Sequence, residues 1–212
     1  MAQPSMKRLQ RDCNRFFNNL WAGDAKPLVF GDGNEKEPVL MLIGEAPGEQ
    51  EALQGKPFVG RAGKNLDLFL QVVGLTRNDV YLSNVVKIRP SRRSPAGRIV
   101  NRPPTKEEVE LFLPWLMKEI TLVRPMALVT LGNVALHAFL PKGKTIGACH
   151  GQWHQAVVRP PRGVAVTLPL YALYHPASVI YRASLQETYQ RDMEHLRDSL
   201  RLSQTHPATF GE

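Results

Sequence analysis

"PVLMLIGEAPGEQE", residues 38–51, joins an apolar run to a carboxylate and a glycine-containing turn. The run VLMLIG (39–44) contains no charged residue, which is typical of a strand buried on both faces of a sheet. Glu45 follows at the point where this strand ends. Burying an ionised carboxylate costs free energy unless the group has partners or a chemical task. The end of the strand is therefore the first candidate for a functional site.

Three further apolar runs have the same character and are separated by helical patterns: VYLSNVV (80–86), ALVTLG (127–132) and LYALYH (170–175). Strands that alternate with helices predict a parallel sheet covered on both faces. We therefore expect an α/β protein, a three-layer α/β/α sandwich with a central four-stranded parallel sheet. Residues 1–212 are expected to form a single domain, with a lead-in helix in 1–27 and a loose tail at 203–212. Residues 151–170 are expected to form a hairpin with a Pro-Pro-Arg-Gly tip.

Composition and charge restrict the class of protein. The 212 residues carry a formal net charge of +8, which favours polyanionic partners such as nucleic acid or an acidic membrane surface. Two cysteines, Cys13 and Cys149, cannot build a disulfide framework or a four-thiolate metal site. The N-terminus has no apolar signal sequence, and no segment approaches the ~20 apolar residues of a membrane span. We therefore expect a cytoplasmic, monomeric protein with reduced thiols and no membrane partner.

Candidate functional residues gather where the predicted strands end. Ligands of open parallel sheets bind at the carboxyl ends of the strands. Glu45 follows the first strand, Asn84 lies in the second, and the fourth ends at His175. Each alone has an ordinary explanation, as a cap of the following turn, a satisfied strand amide and a turn residue before proline. Their convergence on one edge favours a site that combines a carboxylate, an amide and an imidazole.

An ordered set of motifs resembles the uracil-DNA glycosylase superfamily, and within it most closely the family 4 enzymes. The motifs cover about residues 28–200: GEAPGEQE (44–51), GKPFVGRAG (55–63), YLSNVVKIRP (81–90), NRPPTKEE (101–108), RPMALVTLGNVA (124–135), GQW (151–153) and HPASVIYR (175–182). One such motif alone would be weak support, whereas the ordered set is specific. The resemblance implies a four-stranded parallel sheet between helices, in agreement with the strand pattern.

The resemblance also implies a substrate and a way to bind it. These enzymes hydrolyse the N-glycosidic bond of deoxyuridine in DNA after the base has left the duplex stack. Uracil would stack on Phe58 and present its O4 and N3–H edge to Asn84, whose amide offers both a donor and an acceptor. Ala46 matches a further uracil-binding position. His175 would donate a hydrogen bond to uracil O2 as negative charge develops on the base.

A carboxylate would complete the hydrolysis. The departing base leaves a cation-like sugar, which a nearby carboxylate stabilises while it orients a water molecule. We prefer Glu45 for this task, with Glu51 as rival or helper. The alternative that Glu45 merely caps the following turn stays open.

Basic residues beside the predicted site favour contact with DNA phosphates, with an ordinary solvated face as the alternative. The segment KIRPSRRSPAGRIVNR (87–102) has no acidic residue and is longer than the usual RPPGNRxP pattern of the family. Its six cationic residues are Lys87, Arg89, Arg92, Arg93, Arg98 and Arg102. In HPASVIYR, the resemblance implies that Val179 or Ile180 fills the gap left by the everted base and that Arg182 contacts phosphate, with packing on the last helix as the alternative. Gly48 and Ser178 complete the predicted DNA-binding set.

One departure from the family pattern concerns its cofactor. Family 4 enzymes typically hold a four-iron, four-sulfur cluster on four cysteines. Here Cys13 is retained, while the other three positions are occupied by Phe16, Ile88 and Phe112. We therefore predict a protein with no cofactor and no metal, in which apolar packing replaces the structural role of the cluster.

The expected activity is that of a monofunctional uracil-DNA glycosylase that initiates base-excision repair. No lysine has the context of a catalytic nucleophile. The basic segment also lacks the histidine through which a related branch of the superfamily bonds covalently to DNA. Ala52 replaces an acidic residue that commonly follows Glu51, which leaves the water geometry of family 4 in question. The alternative of another class is a catalytically inactive module of the same fold that binds DNA or damaged bases.

Overall fold

A computed structural model describes residues 5–24, 26–181 and 183–205 of the chain. Strands and helices alternate along most of this part. The strands are β1 (Asp32–Gly33), β2 (Leu40–Gly44), β3 (Val80–Asn84), β4 (Ser91–Arg93), β5 (Ile99–Asn101), β6 (Ala127–Leu131), β7 (Trp153–Val158) and β8 (Val166–Leu173). The helices are α1 (Met6–Leu20), α2 (Glu49–Gln54), α3 (Arg61–Val73), α4 (Lys106–Val123), α5 (Asn133–His137), α6 (Ile146–Cys149), α7 (Pro176–Tyr181) and α8 (Gln186–Thr205).

Six strands of the described residues form one sheet, in the order β1-β3-β2-β6-β8-β7. The four central strands run parallel, with Leu40 of β2 opposite Val80 of β3 and Ala127 of β6. They are the four predicted strands, so the predicted parallel sheet is confirmed. β7 pairs antiparallel with β8 and forms the predicted hairpin. The two-residue β1 pairs antiparallel with β3 and has no counterpart among the predicted strands.

Helices cover both faces of the sheet because successive side chains of a strand point to opposite faces. Met41 and Ile43 of β2 pack in one apolar cluster, together with buried residues of α1 and α4. Leu40 and Leu42 pack in a second cluster, together with buried residues of α3 and α8. Burial on both faces explains why the VLMLIG run contains no polar side chain. The predicted three-layer sandwich is confirmed.

The two ends of the chain differ in how they relate to the prediction. α1 lies within the predicted lead-in segment. α8 extends to Thr205, past the predicted start of the tail at residue 203, and residues 206–212 lie outside the described part. Among the described residues, no helix has the length and apolar character needed to cross a lipid bilayer.

The carboxyl ends of β2 and β3 are tied together at one edge of the sheet. Their last residues, Gly44 and Asn84, are register partners. Beyond them, the backbone amides of Val85 and Val86 donate to the carbonyl oxygens of Gly44 and Glu45 at 2.9 and 3.1 Å. This hydrogen bonding continues the pairing of the two chains past the strands and fixes Glu45 beside the loop that follows Asn84.

Candidate active site

Two adjoining cavities open at this edge of the sheet, with volumes of about 290 and 280 Å³. They share four lining residues, namely Ala46, Gly48, Asn101 and His175. The first cavity is also lined by Glu51, Phe58 and Asn84, and the second by Glu45, Arg102 and Ser178. The structure therefore brings Phe58, Asn84 and His175 together in one cavity and places Glu45 in the next.

Phe58 and Asn84 both lie against Gly44 in the first cavity. A Cβ atom at residue 44 would overlap Oδ1 of Asn84 and lie 2.8 Å from the Phe58 ring. Each of the two side chains is only 4% exposed, although both line the cavity. No hydrogen bond among the described residues engages the Asn84 side-chain amide, so its donor and acceptor are available to a ligand. The cavity thus offers an aromatic surface and an amide, which suit a flat heterocycle.

The backbone of Phe58 is held in a conformation that a non-glycine residue rarely adopts, with φ at +52°. Nη2 of Arg77 donates to the Phe58 carbonyl oxygen at 2.8 Å. The Glu51 carboxylate accepts hydrogen bonds from the amides of Val59 and Gly60 at 3.0 and 2.7 Å. Such strain persists only where the surroundings enforce it. Glu51 therefore serves, at the least, to anchor the loop that carries the aromatic ring.

Glu45 lies directly after β2 and lines the second cavity. No hydrogen bond among the described residues engages its carboxylate. Burial raises the pKa of the Glu45 carboxyl because a charged group loses water solvation there. A carboxylate with a raised pKa is a stronger base than an exposed one, and it lies where it can hold a water molecule.

His175 lines both cavities, and its protonation state follows from one hydrogen bond. The backbone amide of Ala177 donates to Nδ1 of His175 at 3.1 Å, so the neutral imidazole carries its proton on Nε2. Burial lowers the pKa of His175 to about 4, although the negative charge of Glu51 opposes this shift. At neutral pH the residue is an uncharged hydrogen-bond donor through Nε2.

Comparison with known proteins decides the family. A family model described as the uracil DNA glycosylase superfamily matches residues 30–200. This chain belongs to that superfamily. It is 41% identical over 170 residues to a type-4 uracil-DNA glycosylase of Archaeoglobus fulgidus, covering 78% of each chain. It is 33% identical over 192 residues to the type-4 enzyme of Pyrobaculum aerophilum, covering 89% of each chain.

Two further comparisons concern a relative of another type and a solved structure. A type-5 uracil-DNA glycosylase of Pyrobaculum aerophilum is 33% identical over 174 residues, covering 75% of this chain and 68% of the relative. The crystal structure of wild-type Pedobacter heparinus SMUG2 has a similar fold, with a TM-score of 0.52, 15% identity, and coverage of 82% of this chain and 77% of that one. The latter likeness concerns the fold alone.

In this member of the uracil-DNA glycosylase superfamily, one residue of the basic segment does not lie where a DNA contact was predicted. Lys87 is 1% exposed. Its ammonium group donates to Glu119 Oε2 at 2.5 Å, to Ser83 Oγ at 2.6 Å and to the carbonyl oxygen of Asn84 at 2.8 Å. All three donors of the ammonium group are thus used inside the protein, and Lys87 does not reach a phosphate on the surface.

The other five cations of the segment divide into two groups. Arg89 donates hydrogen bonds to Glu49 and Asn101 at 3.0 and 2.7 Å. Arg102 forms a bidentate ion pair with Glu108, in which both hydrogen bonds are 2.7 Å long. These pairs hold the base of an antiparallel ribbon formed by β4 and β5. The remaining three arginines lie on this ribbon with exposed side chains: Arg92, Arg93 and Arg98. The insertion is therefore an anchored ribbon that presents three arginines to solvent.

The residues after His175 form the short helix α7. Ser178 is exposed and lines the second cavity, and its contact with DNA stays a prediction. Val179 is only 7% exposed and packs in the apolar cluster with α3 and α8, which favours the alternative of packing on the last helix over insertion into the duplex. The side chain of Ile180 and the whole of Arg182 lie outside the described part.

Asn101 is a site residue that the sequence reasoning missed. It ends β5, lines both cavities and receives a hydrogen bond from Arg89 Nε on its Oδ1 atom at 2.7 Å. That bond orients the amide so that Nδ2 is left as the donor. The sequence does place Asn101 in a family motif, because this residue opens NRPPTKEE. An asparagine next to a basic segment, however, gives no indication of whether its side chain faces the site.

The positions that correspond to the cluster ligands of family 4 do not fit an iron–sulfur cluster here. Phe112 stacks on Phe17 with ring centroids 4.3 Å apart, and Ile88 is 3% exposed in the same apolar cluster. Cys13 is fully buried among them, and burial raises the pKa of its thiol to about 12. A cluster ligand must be a thiolate. One protonated thiol surrounded by packed aromatic and aliphatic side chains does not provide such a site.

Proposed function

We propose that this protein is a uracil-DNA glycosylase, which hydrolyses the bond between uracil and deoxyribose in DNA. One observation carries the proposal: side chains from distant points of the sequence line two adjoining cavities at the carboxyl edge of the parallel sheet. Membership of the superfamily and 41% identity to a type-4 uracil-DNA glycosylase support the same activity.

The first cavity would take the everted base. Uracil stacks on Phe58, and its O4 and N3–H groups pair with the Asn84 amide. Cytosine presents the opposite donor and acceptor pattern on that edge, so the same amide cannot satisfy it without turning over. Leaving a buried polar group unpaired costs about 1–3 kcal/mol, which is the basis of the discrimination.

The second cavity would take the sugar and the attacking water. As the glycosidic bond breaks, negative charge develops on uracil O2, and the neutral His175 donates to it from Nε2. The Glu45 carboxylate orients the water, accepts its proton and stabilises the cation-like sugar. Glu45 is the better candidate for this task than Glu51, because the latter already accepts two backbone hydrogen bonds.

The DNA would lie across the β4–β5 ribbon and the mouth of both cavities. Exposed Arg92, Arg93 and Arg98 contact phosphates, and Ser178 and Gly48 approach the backbone of the everted nucleotide. The reaction is monofunctional, since neither cavity is lined by a lysine in the described part of the chain. An abasic site is then the product, which starts base-excision repair.

The protein would do this without an iron–sulfur cluster. Apolar packing of Ile88 and Phe112, together with the neighbouring Phe17, takes over the structural role of the cluster. Phe16, at the remaining position, does not join this core, because it is 43% exposed and meets Phe17 edge-on at 5.0 Å. The purified protein should therefore contain no iron and show no visible absorbance of a cluster. Stoichiometric iron together with such absorbance would overturn this part of the proposal.

The test of the function is incubation with an oligonucleotide that contains a single uracil, followed by alkali, which breaks the strand at an abasic site. An active enzyme gives strand breaks at the uracil position, whereas a module that only binds damaged bases gives none. His175→Ala and Glu45→Ala should lose most turnover, while Asn84→Ala mainly loses discrimination between uracil and cytosine. Glu35→Ala, an exposed glutamate outside both cavities, serves as the matched control.

A further inference from the structure

The buried ion pair between Lys87 and Glu119 lies behind the wall of the first cavity. Both side chains are 1% exposed. Glu119 accepts hydrogen bonds from four groups, namely the Lys87 ammonium, the hydroxyls of Ser83 and Tyr81, and the backbone amide of Gly31. The network therefore connects α4 to β3 and to the turn that follows β3.

Stability alone does not explain such a pair. Removing two charges from water costs several kcal/mol for each ion, and apolar residues of similar volume often give equal or greater stability at such sites. The neighbouring core between α1 and α4 is apolar, with Phe17 stacked on Phe112. Packing therefore does not account for a buried lysine and glutamate beside this core, and the pair has another role.

The contacts of Lys87 point to that reason. Its ammonium donates to the carbonyl oxygen of Asn84 at 2.8 Å, so it fixes the backbone of the residue whose amide lines the cavity. Between these two residues, the amide of Val86 donates to the carbonyl oxygen of Glu45 at 3.1 Å. One short turn thus links the ion pair to both Asn84 and Glu45.

We propose that Lys87 and Glu119 are positioning residues for the catalytic edge of the site. The pair locks the turn after β3, so that the Asn84 amide meets the edge of the base and Glu45 meets the sugar. The inference rests on the proposed function for its substrate, but the positioning itself is a property of the free protein.

The test uses the double variant Lys87→Met with Glu119→Gln, which removes both charges. Glutamine keeps an oxygen that can accept from Tyr81 and Gly31, so the variant should fold. We expect a melting temperature close to that of the wild type and a fall in kcat/KM of at least tenfold on uracil-containing DNA. Free uracil should also inhibit the variant at least tenfold more weakly, because the Asn84 amide is displaced. Met117→Leu, another buried change on α4, is the control and should leave both values unchanged.

An NMR measurement on the free protein separates this inference from the proposed function. The side-chain amide signals of Asn84 should shift or broaden in the double variant and stay in place in Met117→Leu. If the wild type released no uracil, the proposed function would fail, and the NMR result would still decide the positioning role. Glu119→Asp keeps the charge and shortens the side chain, so it tests the same point if the double variant does not fold. Unchanged Asn84 signals and unchanged kcat/KM in a folded variant would overturn the inference.

Discussion

The loops that follow β2 and β3 leave neighbouring strands at the same edge of the sheet, yet they use their charged residues differently. The loop after β2 places Glu45 in a cavity. The carboxylate of Glu45 has no hydrogen-bond partner among the described residues. The loop after β3 buries or pairs three of its six cations, through Glu119, Glu49 and Glu108. Only the ribbon at its centre presents arginines to solvent.

This difference shows how burial separates chemistry from architecture. An unpaired carboxylate in a partly buried place has a raised pKa and is available to react. Lys87 lies even deeper, but Glu119 and two further acceptors satisfy it completely. In the proposed function, the loop after β2 therefore carries the reactive group, and the loop after β3 carries the anchor and the DNA-binding surface.

The largest expected effect concerns the reactive group. Glu45→Gln should reduce kcat by roughly 10²–10⁴-fold, the usual contribution of a positioned general base, since glutamine cannot accept the proton of the water. Single-turnover release of uracil measures this directly. Glu51→Gln should affect the position of Phe58 more than the chemistry, and equal losses in both variants would contradict the division of roles between the two glutamates.

The second effect concerns the ribbon. Replacing Arg92, Arg93 and Arg98 together by alanine should weaken binding to duplex DNA while kcat at saturation stays near that of the wild type. Each phosphate contact contributes about 0.9 to the slope of log K against log salt, so the slope should fall by about 2.7. Arg15→Ala, an exposed arginine on α1, should leave the slope unchanged. An unaltered slope in the triple variant would show that the ribbon does not contact phosphates.

Whether a feature of this arrangement can be predicted from the sequence depends on how far apart along the chain the interacting residues lie. The apolar runs predict the four parallel strands, and the rule that parallel strands end at one edge brings Glu45, Asn84 and His175 together. Whether a basic side chain is paired or exposed to solvent depends on a partner elsewhere in the chain. Lys87 and Glu119 are 32 residues apart, and Arg89 and Glu49 are 40 apart. A run of basic residues in the sequence does not indicate which of them form such ion pairs.

Two smaller points have the same cause. The sequence leaves open whether Val179 enters the duplex or packs on the last helix, and α7 turns its side chain into the cluster with α3 and α8. Asn101 reads as part of a basic segment, but the base of the ribbon turns it towards both cavities. In both cases a local element that the sequence pattern does not predict decides where the side chain points.

A third prediction tests the packing that holds Phe58. A Cβ atom on Gly63 would overlap the Phe58 carbonyl oxygen, which Arg77 also binds. Gly63→Ala should therefore lower the free energy of unfolding by about 1–3 kcal/mol, as overpacked sites do, and it should reduce uracil binding. Urea unfolding measures the first effect. Gly143→Ala is the control, because apart from residue 143 and its two chain neighbours no atom of the described residues lies within 4 Å of the added carbon.

The smallest expected effect is the pH response of His175, whose pKa is lowered to about 4 by burial. The unfolded chain has an ordinary histidine pKa of about 6.5, so between these values it binds a proton that the folded protein does not. Stability should therefore fall as pH drops from about 6.5 to 4. NMR of the imidazole should show a neutral ring at pH 5.5. A ring that titrates near 6.5 would contradict the burial of this residue.

A crystal structure of the Glu45→Gln variant with a uracil-containing oligonucleotide would show directly whether the first cavity takes the everted base. We expect an everted uracil in this cavity, stacked on Phe58, with its O4 and N3–H edge on Asn84 and its O2 near His175. A uracil that stays within the helical stack, or that binds outside this cavity, would rule out the proposed binding mode.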